Sequence, residues 1–244
     1  MGEHKVGTKE EWREARNALR EREKELDRLS EELAEQRRAL PWVRVEKEYR
    51  LATDAGPKTL PELFEGRSQL LIYHLMFGPN YSGGACPGCS GLADHLDGAV
   101  VHLNHRDVTL TCVSRAPLDM IQAYKRRMGW RFPWASAHGS EFPSDFGFAL
   151  TPEQIRTIPQ VAEMVADPPE FLTSWAEAVG TDLEDGLQEG PGWNVFALED
   201  GVVYHTYSLQ PPDRNMVAPY YYQLLDQTPR GRVREMDAVR HDEY

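Results

Sequence analysis

The sequence predicts an α/β fold: a mixed sheet flanked by helices, with a helical arm at the N-terminus. Three observations carry this reading. Apolar runs of strand length alternate with helix-period segments through the middle of the chain. A hairpin signature, "NVFALEDGVVYHTYS", comes late, with its turn at Glu199-Asp200-Gly201. The first 40 residues are charged throughout and carry apolar side chains at seven-residue intervals.

Taken in order, the arm comes first. Thr8 followed by Glu11 is a capping-box pattern that starts a helix. Trp12, Leu19, Leu26, Leu33 and Leu40 form one strong column, which ends before Pro41. The second column mixes Ala15 and Leu29 with Arg22 and Gln36. This half-polar seam fits a helix packed on its own body or on a partner better than a free-standing coiled coil.

After Pro41, the segments around Val43–Val45 and Tyr49–Leu51 are strand-like, and Asp54-Ala55-Gly56 is a turn. "TLPELFEG" is a short helix with a glycine stop. "SQLLIYHLMF" has the continuous apolar character of a buried central strand. A Gly/Pro-rich loop and a helix start follow it. "VTLTCVS" (108–114) reads as a strand and 118–128 as a helix. The acidic stretch 151–192 is partly helical and reads as an insertion or lid. A last helix is expected in "APYYYQLLDQTP", where three adjacent tyrosines cannot all face one way. The expected division is an arm at 1–40, a domain at 41–228 and a loosely ordered tail at 229–244.

Composition limits function. A net charge of −12 and a pI near 5.2 argue against nucleic-acid binding and against a polybasic membrane patch. No apolar run approaches the roughly 18–20 residues that span a bilayer. The start, "MGEHKVGTKEEWREARNALRERE", has no apolar core of a secretory signal. The expected location is the cytoplasm, where three cysteines are not a disulfide framework and a close pair is redox-active or metal-binding.

That pair lies in "GGACPGCSG". Cys86 and Cys89 follow a buried strand and precede a helix, a setting that lowers a thiol pKa and so generates the reactive thiolate. Cys86 is then the exposed attacking thiolate and Cys89 the resolving thiol. Two alternatives stay open: idle structural thiols in a non-catalytic interaction protein that binds through its helical arm, or a copper or zinc site formed by Cys86, Cys89 and a histidine. His95 is the first choice for that histidine, with His74, His102 and His105 behind it. Without such a metal, no cofactor is needed. Cys112, on an apolar strand, reads as an inert core residue.

Several stretches together resemble a known family. "LATDAGPKTLPELFEGRSQLLIYHLMFGPNYSGGACPGC" is similar to the opening of thioredoxin-like proteins of the peroxiredoxin type, and "NVFALEDGVVYHTY" to their closing hairpin. More closely, "LPWVRVEKEY", "HLMFGP", "CPGCS", "SRAP", "RRMGWRFPW" and "DFG" resemble the bacterial domain-of-unknown-function 899 family, over about residues 9–230. The resemblance implies a thioredoxin-like fold and dithiol–disulfide oxidoreductase activity at Cys86 and Cys89. It departs from peroxiredoxins where they carry a Thr three residues before the reactive cysteine, a position held here by Gly83. Pro191 is the nearest match to the proline that precedes the closing hairpin in thioredoxins.

Four further residues are expected to bind substrate or tune the thiols. Arg131 would steer an anionic substrate or pair with Asp145, and Trp134 belongs to the same aromatic cluster as Arg131. Asp94 would act on Cys89, and His205 would lie beside the active-site loop on the closing hairpin. The expected partners are a protein or small-molecule thiol or disulfide and, through the N-terminal helix, a second copy of the chain.

Overall fold

The computed structural model describes residues 5–210, 220–231 and 239–243. The chain divides into two compact units, Met1–Trp42 and Val43–Tyr244.

The first unit is one helix, α1 (Lys9–Arg38), in which no residue is buried. Thr8 Oγ1 accepts from the Glu11 N–H at 3.1 Å, and Glu11 Oε2 accepts from the Thr8 N–H at 2.7 Å. The two bonds satisfy donors that the first turn leaves open.

The second unit opens with β1 (Val43–Arg44), β2 (Arg50–Thr53) and β3 (Gly56–Thr59). A short 3₁₀ turn, Pro61–Phe64, leads into β4 (Gln69–His74). Two helices follow, α2 (Pro87–Ala93) and α3 (Leu96–Asn104), then β5 (Val108–Ser114), α4 (Leu118–Arg127) and β6 (Trp134–Ser136). The next stretch is helical: α5 (Phe142–Asp145), α6 (Pro152–Thr157), α7 (Pro159–Ala166), α8 (Glu170–Val179) and α9 (Leu183–Gly186). A hairpin of β7 (Gly192–Glu199) and β8 (Val202–Leu209) closes the sheet, and α10 (Tyr220–Leu225) comes after it.

The eight strands form one sheet in the order β1-β8-β7-β4-β5-β6-β2-β3. β4 runs parallel to β5, and β5 to β6, while β7 lies antiparallel to β4 and β8 to β7. The central order β8-β7-β4-β5, a parallel βαβ unit followed by an antiparallel hairpin, is the thioredoxin arrangement. The predicted α/β fold with a mixed, helix-flanked sheet is thus the fold of this unit. The hairpin turns where the sequence places it, with Asp200 and Gly201 both at positive φ, as a tight two-residue turn requires.

β4 is the axis of the core. Side chains alternate across a strand, so Ile72 enters a cluster with Leu51, Phe64, Leu70, Val113, Phe142 and Phe196. Tyr73 enters the opposite cluster, with Phe77, Cys86, Cys89, Cys112, Tyr124 and Trp134. The two cysteines therefore belong to one face of the sheet and the His74 side chain to the other.

Within the stretch expected as a loose tail, the described residues 239–243 include one firmly held side chain. Arg240 is only 3% exposed. Its guanidinium donates to the carbonyls of Ala85, at 2.8 and 3.1 Å, and Ala178, at 3.0 Å, and to Glu243 Oε1 at 2.7 Å. Five N–H donors in a fixed fork let one arginine satisfy several buried carbonyls at once. That capacity does not show in the composition of a polar tail.

Candidate dithiol site

The loop between β4 and α2 returns to the end of its own strand: the Cys86 N–H donates to the Met76 carbonyl at 2.9 Å. Cys86 is the N-cap of α2, and Pro87 occupies the first turn, where a missing N–H costs nothing. The Ser90 hydroxyl donates to the Cys86 carbonyl at 2.9 Å and lies 2.9 Å from the Tyr124 hydroxyl. The two glycines ahead of the pair have distinct roles. A Cβ on Gly83 would lie 2.7 Å from the Ala178 carbonyl oxygen, and Gly84 takes φ of 110°, with Tyr124 filling the side-chain space.

Both cysteines are free thiols, and their environments differ. The Cys86 thiol is held below the ordinary range. The largest cause is a hydrogen bond from the Cys89 side chain, and the N–H groups of Cys89 and Gly88 and the Trp175 side chain add to it against the cost of burial. The Cys89 thiol is pushed well above that range, first by its interaction with Cys86 and then by burial. The Tyr73 hydroxyl and the Met76 N–H favour the charged Cys89 sulfur and oppose that rise. Trp193 packs on Tyr73 at a tilt of 33°, with ring centroids 4.7 Å apart. One thiol is thus set up as a thiolate and the other as its proton-bearing partner.

The expectation of an exposed Cys86 is corrected: it is 6% exposed and Cys89 is 5%. The cover comes from the stretch read as an insertion or lid. Trp175 of α8 packs against the cluster that holds Cys86 and favours its thiolate, and its ring meets Tyr81 edge-on at 6.0 Å. The loop and the lid are tied by backbone: the Gly83 N–H donates to the Val179 carbonyl at 2.9 Å, and the Ser82 hydroxyl to the Gly180 carbonyl at 2.7 Å. The Tyr81 hydroxyl donates to the Gly186 carbonyl at 2.9 Å. Arg240 then joins Ala85, next to Cys86, to Ala178 at the end of α8.

The remaining expected site residues lie elsewhere. Arg131 is exposed and reaches Asp97, at 3.6 Å, rather than Asp145, which binds Lys47 and Tyr49. Trp134 is 2% exposed, a core side chain on β6 whose indole N–H donates to Ser114 Oγ at 2.9 Å, so it offers no surface to a substrate. Asp94 accepts from Trp130 at 2.8 Å and pairs with His241 at 2.6 Å; the side chains that act on Cys89 are Cys86 and Tyr73. His205 lies across the sheet from the cysteines, packed on Phe146 and Phe196. A bulge in β8 between its partners Val195 and Phe196 pairs His205 with Phe196 and so sets it on that face.

There, Asn194 bridges two histidines. Its amide donates to His74 Nε2 at 3.0 Å and its oxygen accepts from His205 Nε2 at 2.8 Å, the tautomers being those that complete the network. Pro191 stands directly before β7, whose Gly192 pairs with His74 at the end of β4. His95, the expected metal ligand, is exposed, with its ring 6.1 Å from that of Tyr221. Among the described residues, no three of His, Cys, Asp and Glu gather to hold a metal ion. No helix among them is long and apolar enough to cross a membrane.

Sequence reading missed Tyr73, Trp175 and Arg240. Tyr73 had a signal, since it lies inside the apolar run that leads to the cysteines. Trp175 and Arg240 had none, because they are 89 and 154 residues from Cys86 along the chain.

Similar solved structures include a cysteine-to-serine mutant of Xylella fastidiosa PrxQ, with 13% identity, coverage of 66% of this chain and 77% of that one, and a TM-score of 0.44. Mycobacterium tuberculosis peroxidoxin BcpB has 14% identity, coverage of 70% and 82%, and a TM-score of 0.40. Yeast mitochondrial 1-Cys peroxiredoxin has 13% identity, coverage of 76% and 73%, and a TM-score of 0.37. No curated protein matches the sequence. The family model described as "Bacterial protein of unknown function (DUF899)" matches residues 1–244, and the chain belongs to that family.

Proposed function

We propose that this protein is a cytoplasmic thiol–disulfide oxidoreductase that works through Cys86 and Cys89 on a protein or small-molecule disulfide. The observation that carries the reading is the placement of the two free thiols: Cys86 caps the start of α2 and Cys89 lies within its first turn, both against the same core cluster. The Cys86 thiolate attacks one sulfur of the substrate disulfide. A Cys86–substrate disulfide forms, and the other half leaves as a thiolate that takes up a proton. Cys89 then loses its proton, with the Tyr73 hydroxyl and Met76 N–H stabilising the negative sulfur, and attacks Cys86. The second half of the substrate leaves as a thiol. The pair has given up two electrons as the Cys86–Cys89 disulfide, and a cellular dithiol or small thiol returns them.

Gly83 in place of the peroxiredoxin Thr favours disulfide over peroxide as the substrate. Cover by Trp175 requires α8 to move aside before a substrate disulfide reaches Cys86.

The test is reduction of an aromatic disulfide dye and of an insulin-type protein disulfide. Cys86→Ser abolishes both. Cys89→Ser stops turnover after the first step and leaves a mixed disulfide on Cys86 that mass spectrometry detects. Unchanged reduction by Cys86→Ser overturns the reading.

A further inference from the structure

The helix of the first unit presents an uncovered apolar seam. Trp12 is 65% exposed, Leu19 51%, Leu26 64%, Leu33 49%, Leu40 44% and Leu29 43%. Isolated exposed leucines need no explanation, but a column of them every seven residues along a helix of about 45 Å does. We infer that this seam pairs with the same seam of a second copy, the two helices running parallel and in register.

The pattern selects the occupant and its direction. With Trp12, Leu19, Leu26 and Leu33 at position a of the heptad, Ala15, Arg22, Leu29 and Gln36 stand at d. A parallel pair stacks a on a and d on d, so every strong position meets its own copy. An antiparallel pair in full overlap sets a against d, which places Leu26 on Arg22 and Trp12 on Gln36.

The flanking charges agree. Position g holds Glu11, Ala18, Glu25 and Glu32, and position e holds Arg16, Glu23, Ser30 and Arg37. In the parallel pair each g residue faces the e residue five positions on in the other copy. Glu11 meets Arg16, Glu32 meets Arg37, and no like charges face each other across these flanks; the one like pair lies in the seam, where d on d sets Arg22 beside Arg22. The antiparallel pair puts Glu23 on Glu23 and Glu25 on Glu25. Surface charges of this kind add little strength and decide direction.

Arg22 limits the number of strands. In a two-stranded pair its long side chain leaves the seam toward Glu23 of the other copy, whereas a closed three- or four-stranded core would bury its charge.

The experiment uses the full chain. Light scattering during gel filtration is expected to give twice the 27.8 kDa chain mass. Leu26→Glu, at an exposed site, is expected to raise the dimer dissociation constant roughly 100-fold by placing two carboxylates in one seam layer. Direction is read in a background with Cys86, Cys89 and Cys112 replaced by serine. Leu19→Cys in that background is expected to oxidise to an interchain disulfide with itself. In an antiparallel pair, Leu19 of one copy lies beside Leu29 of the other, so only a Leu19→Cys/Leu29→Cys double variant would cross-link. A monomer at 100 µM, a dimer indifferent to Leu26→Glu, or cross-linking only in the double variant overturns the proposal.

Discussion

A resolving thiol has to wait as a thiol and then act as a thiolate, and Tyr73 bears on the second requirement. Its hydroxyl favours the charged Cys89 sulfur from a fully buried position on β4, with Trp193 packed against its ring. A hydrogen bond to a charged group is worth about 1.5–3 kcal/mol, so Tyr73→Phe should slow the Cys89 step roughly 10- to 100-fold. The Cys86 step should keep its rate, because the groups that hold Cys86 as a thiolate are Cys89, Gly88 and Trp175. Stopped-flow measurement should then find the mixed disulfide accumulating in the variant, and equal slowing of both steps would defeat this assignment. The cysteines were legible because four adjacent residues carry their chemistry. Arg131, Trp134 and His205 misled because their residue types suit a site, while their register and packing send them to a surface ion pair, the core and the opposite face of the sheet.

The strands were legible because a strand buried on both faces is recorded as a short, nearly continuous apolar run and a hairpin by its turn residues. β5 and the closing hairpin lie where those signals put them. The lid was visible as a composition shift, yet its docking was not, because it rests on backbone carbonyls at Val179, Gly180 and Gly186 that no side-chain pattern encodes. The Arg240 fork completes that docking by holding Ala85 and Ala178 together. Arg240→Ala leaves both carbonyls without this donor. Cys86 should then react roughly tenfold faster or more with a small alkylating agent, as local opening of α8 becomes easier. Arg240→Lys should recover little of the protection, since an ammonium cannot span the same acceptors. Mass-spectrometric labelling at pH 7 reads this directly, and unchanged Cys86 labelling in Arg240→Ala would show that the fork does not guard the thiol.

At the scale of the molecule, two buried titratable groups oppose each other across the pH range. Burial pushes His74 down to about 3, from an ordinary value near 6.5. A depressed histidine contributes stability that is present above its unfolded pKa and lost as pH falls through the folded one, so His74 weakens the fold from about pH 6.5 toward pH 3. Glu189 is pushed up to about 7, chiefly by burial, with Arg115 opposing. Its Oε1 lies 3.1 Å from Arg115 Nη1 without hydrogen-bond alignment. A raised carboxyl contributes stability that is present below its unfolded pKa, near 4.5, and lost as pH rises through about 7. Between about pH 4.5 and 6.5 the two slopes cancel, each on the order of 1.4 kcal/mol per pH unit. Neither slope could be read from the sequence, where His74 is one letter in an apolar run and Glu189 one of many carboxylates. Glu189→Gln removes the second slope and leaves the first. Relative to the unmodified protein, it should gain stability as pH rises from 4.5 to 8, by up to about 3 kcal/mol. Urea unfolding midpoints at several pH values test this, because groups titrating equally in both proteins drop out of the difference. Parallel curves for the two proteins would mean that Glu189 is already ionised in the fold at pH 5, with Arg115 compensating its burial in full.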